Sequence, residues 1–319
     1  MRKTNWRRAV CTALCLAVLT ACGDSAAPAA STAAAEPDAE PAATAEPTPP
    51  ADPYQAPEMA ASDFHQDAAI GTAAVGIDVS CVNLGYVAVS ASSDTRLKFQ
   101  VECGETKYNY DLPSDGTPAS FPLQLGDGTY TFRVLENTSG TKYAVIYETS
   151  SSVVLDDEFQ PYIRPNEMVD YTADSACVAK AAELSQMAGD DAGVVAQVFQ
   201  YVCDNITYDS AKAATVADGY LPDPDATLSA GSGICYDYAA LTAAMLRSQG
   251  IPTKLITGYV EPGEIYHAWN MIWLENSGWI TVSFEAPAHS WERIDTTFAA
   301  GASADYTGDG TSYTDRYTY

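Results

Sequence analysis

Apolar and polar positions alternate in short runs from Tyr86 to Tyr147. Tyr86–Val–Ala–Val–Ser90, Leu97–Lys–Phe–Gln–Val101, Tyr130–Thr–Phe–Arg–Val–Leu135 and Tyr143–Ala–Val–Ile–Tyr147 place β-branched or aromatic residues at a period near two. That spacing puts one face of each run in a core and predicts strands. Gly126–Asp–Gly128 is a turn between Phe121–Leu125 and the run that follows. Short strands at this spacing predict a small β-sandwich over 63–157. Nothing in it carries chemistry, so it reads as a spacer or substrate-positioning module, or as a binder of cell-wall material.

Beyond Pro165 the period lengthens to that of a helix. Cys177, Ala181, Leu184 and Ala188 share one helical face, and Val194, Val195, Val198, Phe199 and Val202 share the next. Asn205–Asp209 closes the second helix, and a turn-rich loop, Gly219–Pro224, leads to a third that ends on Gly250. Its apolar stripe is Tyr238, Leu241 and Met245. Strands follow at Thr253–Val260, Tyr266–Leu274 and Trp279–Phe284, and a last one carries Tyr313, Tyr317 and Tyr319 on one side. Helices followed by an antiparallel sheet make 158–319 an α+β domain.

The first residues follow another logic. Arg2, Lys3, Arg7 and Arg8 precede an apolar run from Ala9 to Leu19, the plan of a secretory signal over 1–21. Leu19–Thr20–Ala21–Cys22 resembles a bacterial lipobox, which implies lipidation of Cys22 and anchoring at the outer face of the cytoplasmic membrane. The stretch 22–62 is rich in Ala, Pro, Glu and Asp and reads as a disordered tether, too poor in apolar surface to offset its ordering entropy.

Four of the 16 basic residues would leave with the signal and none of the 42 acidic ones, moving the formal charge from −26 to −30. Such a surface repels nucleic acid and anionic head groups, so a nucleic-acid partner is excluded and membrane attachment is through lipid alone. Setting aside Cys11, Cys15 and Cys22 at the N-terminus and Cys235, four cysteines remain. The pairing that keeps both bridges within domains is Cys81–Cys103 and Cys177–Cys203; four reduced, buried thiols are the alternative.

The chemistry centres on Cys235, which follows Gly231–Ser–Gly–Ile at a predicted helix start. Free N–H groups and the positive end of the helix dipole favour a thiolate there. His267–Ala–Trp269 supplies a base and Asp295–Thr–Thr297 a carboxylate to orient it, although Glu285 and Glu292 compete for that place. His65 and His289 read as structural or solvated. Four of the five tryptophans fall between Trp269 and Trp291, as core or as walls of a groove. No Cys or His pair has metal-ligand spacing and no phosphate loop is present, so neither a metal nor a cofactor is expected.

Gly-Ile-Cys235-Tyr-Asp237-Tyr238-Ala, Leu246-Arg247, Gly250-Ile-Pro252, Gly258-Tyr259, His267-Ala-Trp269-Asn270 and Asp295-Thr-Thr-Phe298 resemble the transglutaminase-like core, in the family's order. The likeness covers roughly 161–319. It implies a papain-related fold and a Cys235, His267, Asp295 triad, with Tyr208 as a cleft residue by analogy. Where the family more often has Asp-Pro-Thr this chain has Asp295-Thr-Thr297, which keeps the carboxylate. The implied activity is thiol acyl transfer on peptide or protein amides, ending in hydrolysis or in cross-linking. A non-catalytic surface module that retains the fold is the competing reading.

Overall fold

The computed structural model describes residues 49–260, 265–284, 293–294 and 313–319. The signal, Cys22, Glu285, His289, Trp291, Glu292 and Asp295 lie outside the described residues.

Eight strands build the first module: β1 (Ile70–Gly71), β2 (Val75–Asp78), β3 (Tyr86–Ala91), β4 (Leu97–Cys103), β5 (Thr106–Leu112), β6 (Ala119–Pro122), β7 (Gly128–Ser139) and β8 (Lys142–Val153). They form two antiparallel sheets, ordered β1-β2-β3-β6 and β5-β4-β7-β8. Phe99 of one sheet meets Phe121 of the other at 4.7 Å between ring centroids, and Tyr110 meets the same ring at 4.9 Å. The alternation that predicted strands is therefore the alternation that fills the space between the sheets. β5 was not foreseen, because Lys107, Asn109 and Asp111 dilute its apolar face to Tyr108, Tyr110 and Leu112.

The second module opens with α1 (Ala176–Ser185) and α2 (Asp191–Asn205), the latter capped by the Asp190 carboxylate, which accepts from Gly193 N–H. Then come β9 (Thr207–Tyr208), α3 (Ser210–Thr215), α4 (Pro224–Ala230), β10 (Ser232–Gly233) and α5 (Cys235–Ser248). The loop expected before the cysteine helix thus holds two short helices, each started by an aspartate cap, Asp209 and Asp223. β11 (Thr253–Val260), β12 (Ile265–Leu274), β13 (Gly278–Phe284), β14 (Arg293–Ile294) and β15 (Tyr313–Thr318) make a five-stranded antiparallel sheet ordered β14-β13-β12-β11-β15. Mixed helices and antiparallel sheets give the α+β class.

α5 is the axis of this module, and every residue from Asp237 to Ser248 on it is buried. Helices α1, α2 and α4 cover it on one side and the five-stranded sheet on the other. A helix enclosed all round must be apolar or bonded all round, and this one is mostly Ala, Leu and Met. Among its buried polar residues, Arg247 donates to the carbonyls of Thr253, Arg164 and Tyr319 at 2.8, 3.0 and 2.9 Å. Asn270 of β12 donates to Ala239 O at 3.0 Å, joining the helix to the sheet.

Two expectations need correcting. The last residues assigned to the tether are packed against the domain. Tyr54 N–H donates to Ala188 O and its hydroxyl to Gln249 O, while Ser62 donates to Pro165 O. Pro57 fills the space beside Gly250, whose φ is +79° and where an added Cβ would stand 2.2 Å from Pro57 Cγ, so no side chain is admitted. Composition hid this because Tyr54 and prolines supply it, not a long apolar run. Neither disulfide is formed: Cys81, Cys103, Cys177 and Cys203 are reduced thiols. They face different neighbours. Cys81 Sγ is 3.9 Å from His65 Nδ1, Cys103 Sγ occupies the space over Gly128, Cys177 bonds the Asp225 carboxylate and Cys203 stands near Tyr238.

Candidate active site

Cys235 is the first residue of α5, and the turn before it is built by backbone requirements. Gly231 ends α4 with φ of +61°, a left-handed conformation that glycine adopts without strain. Gly233 leaves room for the Asp237 side chain, since a Cβ there would stand 2.6 Å from Asp237 Cβ. β10 pairs in parallel with β9, setting Gly233 opposite Tyr208. Tyr208 is thereby brought to the same place as the cysteine two residues on.

Ile234, the N-cap of α5, has no side-chain oxygen to offer the helix. The cap comes from within: the wholly buried Asp237 carboxylate accepts from Ile234 N–H at 2.8 Å, half of a capping box. It also accepts from Lys212 Nζ at 2.6 Å and from the Tyr220 hydroxyl at 2.5 Å. Burial alone would lower the Lys212 pKa, but Asp237 and Tyr220 together leave it raised. Read from sequence alone, Asp237 has no role beyond helix charge and packing. Its partners lie 25 and 17 residues earlier, on α3 and the loop after it, where no pattern points to them.

His267 lies on β12 directly opposite Gly258 of β11. A Cβ at Gly258 would come 2.1 Å from Thr314 O and 2.8 Å from Trp269 Cη2, so glycine is required where β15 and the Trp269 ring close in. The backbone N–H of the next residue along β12, Ala268, is among the groups that lower the Cys235 pKa. Cys235 and His267 both line one cavity of about 410 Å³, with Tyr208. The remaining wall is tyrosine and small apolar side chains: Tyr220, Tyr236, Tyr266 and Tyr319 with Val216 and Ala217 among others. Among the described residues no tryptophan lines it. Trp269 is core, and Trp273 and Trp279 pack on Phe159 at 4.8 and 5.8 Å.

Burial pushes the Cys235 thiol above the ordinary cysteine pKa. N–H groups of Ala268, Tyr236 and Cys235 pull it down, and the negative Asp237 adds to the rise. The helix terminus thus supplies the donors expected of it without overcoming desolvation, and the resting group is the thiol. Tyr208 is raised as well, by burial first and then by the neighbouring Cys235 and Asp237. Among the described residues no group of three His, Cys, Asp or Glu side chains is arranged to hold a metal ion, and no helix is long and apolar enough to cross a membrane.

The sequence profile of the transglutaminase-like superfamily matches residues 178–284, the span that holds α5, Cys235 and His267. The likeness to that superfamily is confined to this span. A protein-glutamine gamma-glutamyltransferase of Pseudomonas aeruginosa is 26% identical over 213 residues, covering 60% of this chain and 31% of its own length. The chain therefore spans about a third of that relative, 31% of its length. Among solved structures, a provisionally assigned cysteine protease of Cytophaga hutchinsonii is 16% identical at a TM-score of 0.35, covering 67% of this chain and 68% of its own. Red sea bream transglutaminase is 15% identical at a TM-score of 0.27, covering 62% of this chain and 47% of its own.

Proposed function

We propose that this transglutaminase-like domain is a thiol acyl-transfer enzyme acting on peptide or protein amides. The observation that carries the reading is that Cys235, at the start of α5, and His267 of β12 line one cavity. A buried thiol with a raised pKa needs a base at the moment of attack. His267 takes that proton as the sulfur bonds to the amide carbon. The carbonyl π pair moves to oxygen, and the N–H groups around the sulfur are the available oxyanion donors. Collapse breaks the C–N bond, and the imidazolium returns its proton to the departing amine. The thioester then passes to water, giving a carboxylate, or to a second amine, giving a cross-link. Asp295, carried from the family pattern, would bond the other imidazole nitrogen and fix its tautomer.

Export and anchoring through Cys22 belong to the same proposal. They rest on the first 22 residues of sequence and would bring the domain to peptides or wall material outside the cell. Glutaminyl peptides incubated with the protein, with and without a labelled primary amine, test the chemistry. Ammonia release or amine incorporation that disappears in Cys235→Ala and in His267→Ala is the expected result. Turnover that survives Cys235→Ala sinks the proposal.

A further inference from the structure

The cavity beside Cys235 is chemically unlike the rest of the molecule. The chain carries 42 acidic and 16 basic residues, yet among the described residues the cavity wall holds no Asp, Glu, Lys or Arg side chain. Five tyrosines line it instead: Tyr208, Tyr220, Tyr236, Tyr266 and Tyr319. The Tyr220 and Tyr236 rings meet edge to face, 6.4 Å between centroids and 78° between planes.

Two of these hydroxyls are committed to the protein. Tyr220 donates to Asp237, and Tyr266, half exposed, donates to Thr257 Oγ1 at 2.9 Å. Bonded hydroxyls leave carbon faces and ring edges as the surface a visitor meets. Burial holds the Tyr236 hydroxyl far above the range in which it could ionise. At about 410 Å³ the space lies near the lower end of ligand pockets, which run from roughly 300 to 1,000 Å³. It suits one side chain with its adjoining peptide unit and is too small for a folded segment.

We propose that this cavity is a side-chain subsite that selects acyl donors bearing an uncharged aromatic residue next to the reacting carbonyl. The inference rests on the acyl-transfer reading above, since it is Cys235 that makes the neighbouring group an acyl donor. A carboxylate or ammonium entering the cavity would shed its water and, among the described lining residues, find no Asp, Glu, Lys or Arg to offset that loss. An aliphatic side chain gains burial alone. A ring gains in addition the edge-to-face contacts that Tyr220 and Tyr236 already make with each other, each worth roughly two- to tenfold.

Alkylation of Cys235 in the full chain tests this with chloroacetamides that differ in the amide substituent. In each, the sulfur bonds to the methylene carbon, chloride leaves and the thiol proton passes to base. Unsubstituted chloroacetamide, N-benzyl, N-isobutyl and N-carboxymethyl chloroacetamide are compared. Rates at Cys235 are read by peptide mass spectrometry and normalised to those with glutathione. We expect the benzyl reagent to exceed the isobutyl one at least about threefold and the carboxymethyl one at least about tenfold. Ala217→Trp, at an exposed position on the rim, fills the space, and Val216→Trp is the second such variant. Either should collapse the benzyl preference to near unity. Equal normalised rates in the wild type overturn the subsite, as does a benzyl preference that survives both folded variants. Failure of the acyl-transfer reading looks different: unsubstituted chloroacetamide then reacts no faster than with glutathione, whatever the ratios among reagents.

Discussion

Truncating Asp237 is the most direct probe of how the nucleophile's helix is held. The carboxylate is wholly buried and accepts three hydrogen bonds, from Ile234 N–H, Lys212 Nζ and Tyr220 Oη. Asp237→Ala leaves the Ile234 N–H buried without an acceptor, at about 1–3 kcal/mol. It also removes negative charge from the start of a helix, at about 0.3–1 kcal/mol. The ion pair adds little, because the Lys212 side chain is 32% exposed and water can take over its ammonium, so about 1 kcal/mol is an upper figure. Together these come to about 3 kcal/mol, or a fall in Tm of about 6–12 °C for a unit of this size. Asp237→Asn keeps an oxygen for Ile234 N–H and should lose about half as much. Differential scanning calorimetry at pH 7 measures both. Because Lys212 acts through Asp237, Lys212→Met should cost less in the Asp237→Ala background than alone, with a coupling of about 1 kcal/mol. A Tm within 2 °C of wild type for Asp237→Ala, or strict additivity in the double mutant, refutes the view that this carboxylate organises the helix start.

Gly258→Ala forces a methyl against Thr314 O and the Trp269 ring, and should cost more than about 3 kcal/mol by urea unfolding while Thr257→Ala is far milder. Glu167 has its pKa raised to about 8, by burial first and the Asp111 charge second. Its folded pKa exceeds the unfolded one, so its contribution is fully present below pH 4.5 and is lost as pH rises toward 8. Glu167→Gln should therefore raise Tm at pH 7.5 by about 4–8 °C and leave it nearly unchanged at pH 4.5. A chain starting at Asp63 should melt about 6–12 °C below one starting at Pro49, having lost the three hydrogen bonds of Tyr54 and Ser62 at about 1 kcal/mol each. Thiol titration of denatured, unreduced protein should find Cys81, Cys103, Cys177, Cys203 and Cys235 all reactive.

Much of this architecture was legible in the chain because it rests on local rules. Period-two alternation marked β3, β4 and β7, and β11 was read to the residue, since each buries one face against a neighbour. The Gly-Ser-Gly turn and the Gly250 stop bracketed α5 through backbone geometry alone. What escaped is non-local. The Asp237 cluster joins residues up to 25 apart, and the tyrosine cavity draws its walls from β9, the segment after α3, α5, β12 and the residue after β15. The upward pull on the Cys235 pKa was hidden for a related reason. A sequence displays the helix terminus that stabilises charge but not the packing that removes water from it.

Tyr319 is both a wall of the cavity and a neighbour of the first module. Its ring stands 6.0 Å from Tyr108 and 6.1 Å from Tyr110 on β5, and its backbone pairs with Leu255. Thr318 N–H reaches the Tyr108 hydroxyl at 3.4 Å. The cavity is lined by the second module alone among the described residues, but one of its walls leans on the first. Cutting between them at residue 157 would keep every group proposed to react and still unseat one side of the space in which they work. A graft of the catalytic module onto another scaffold would need β5 to travel with it.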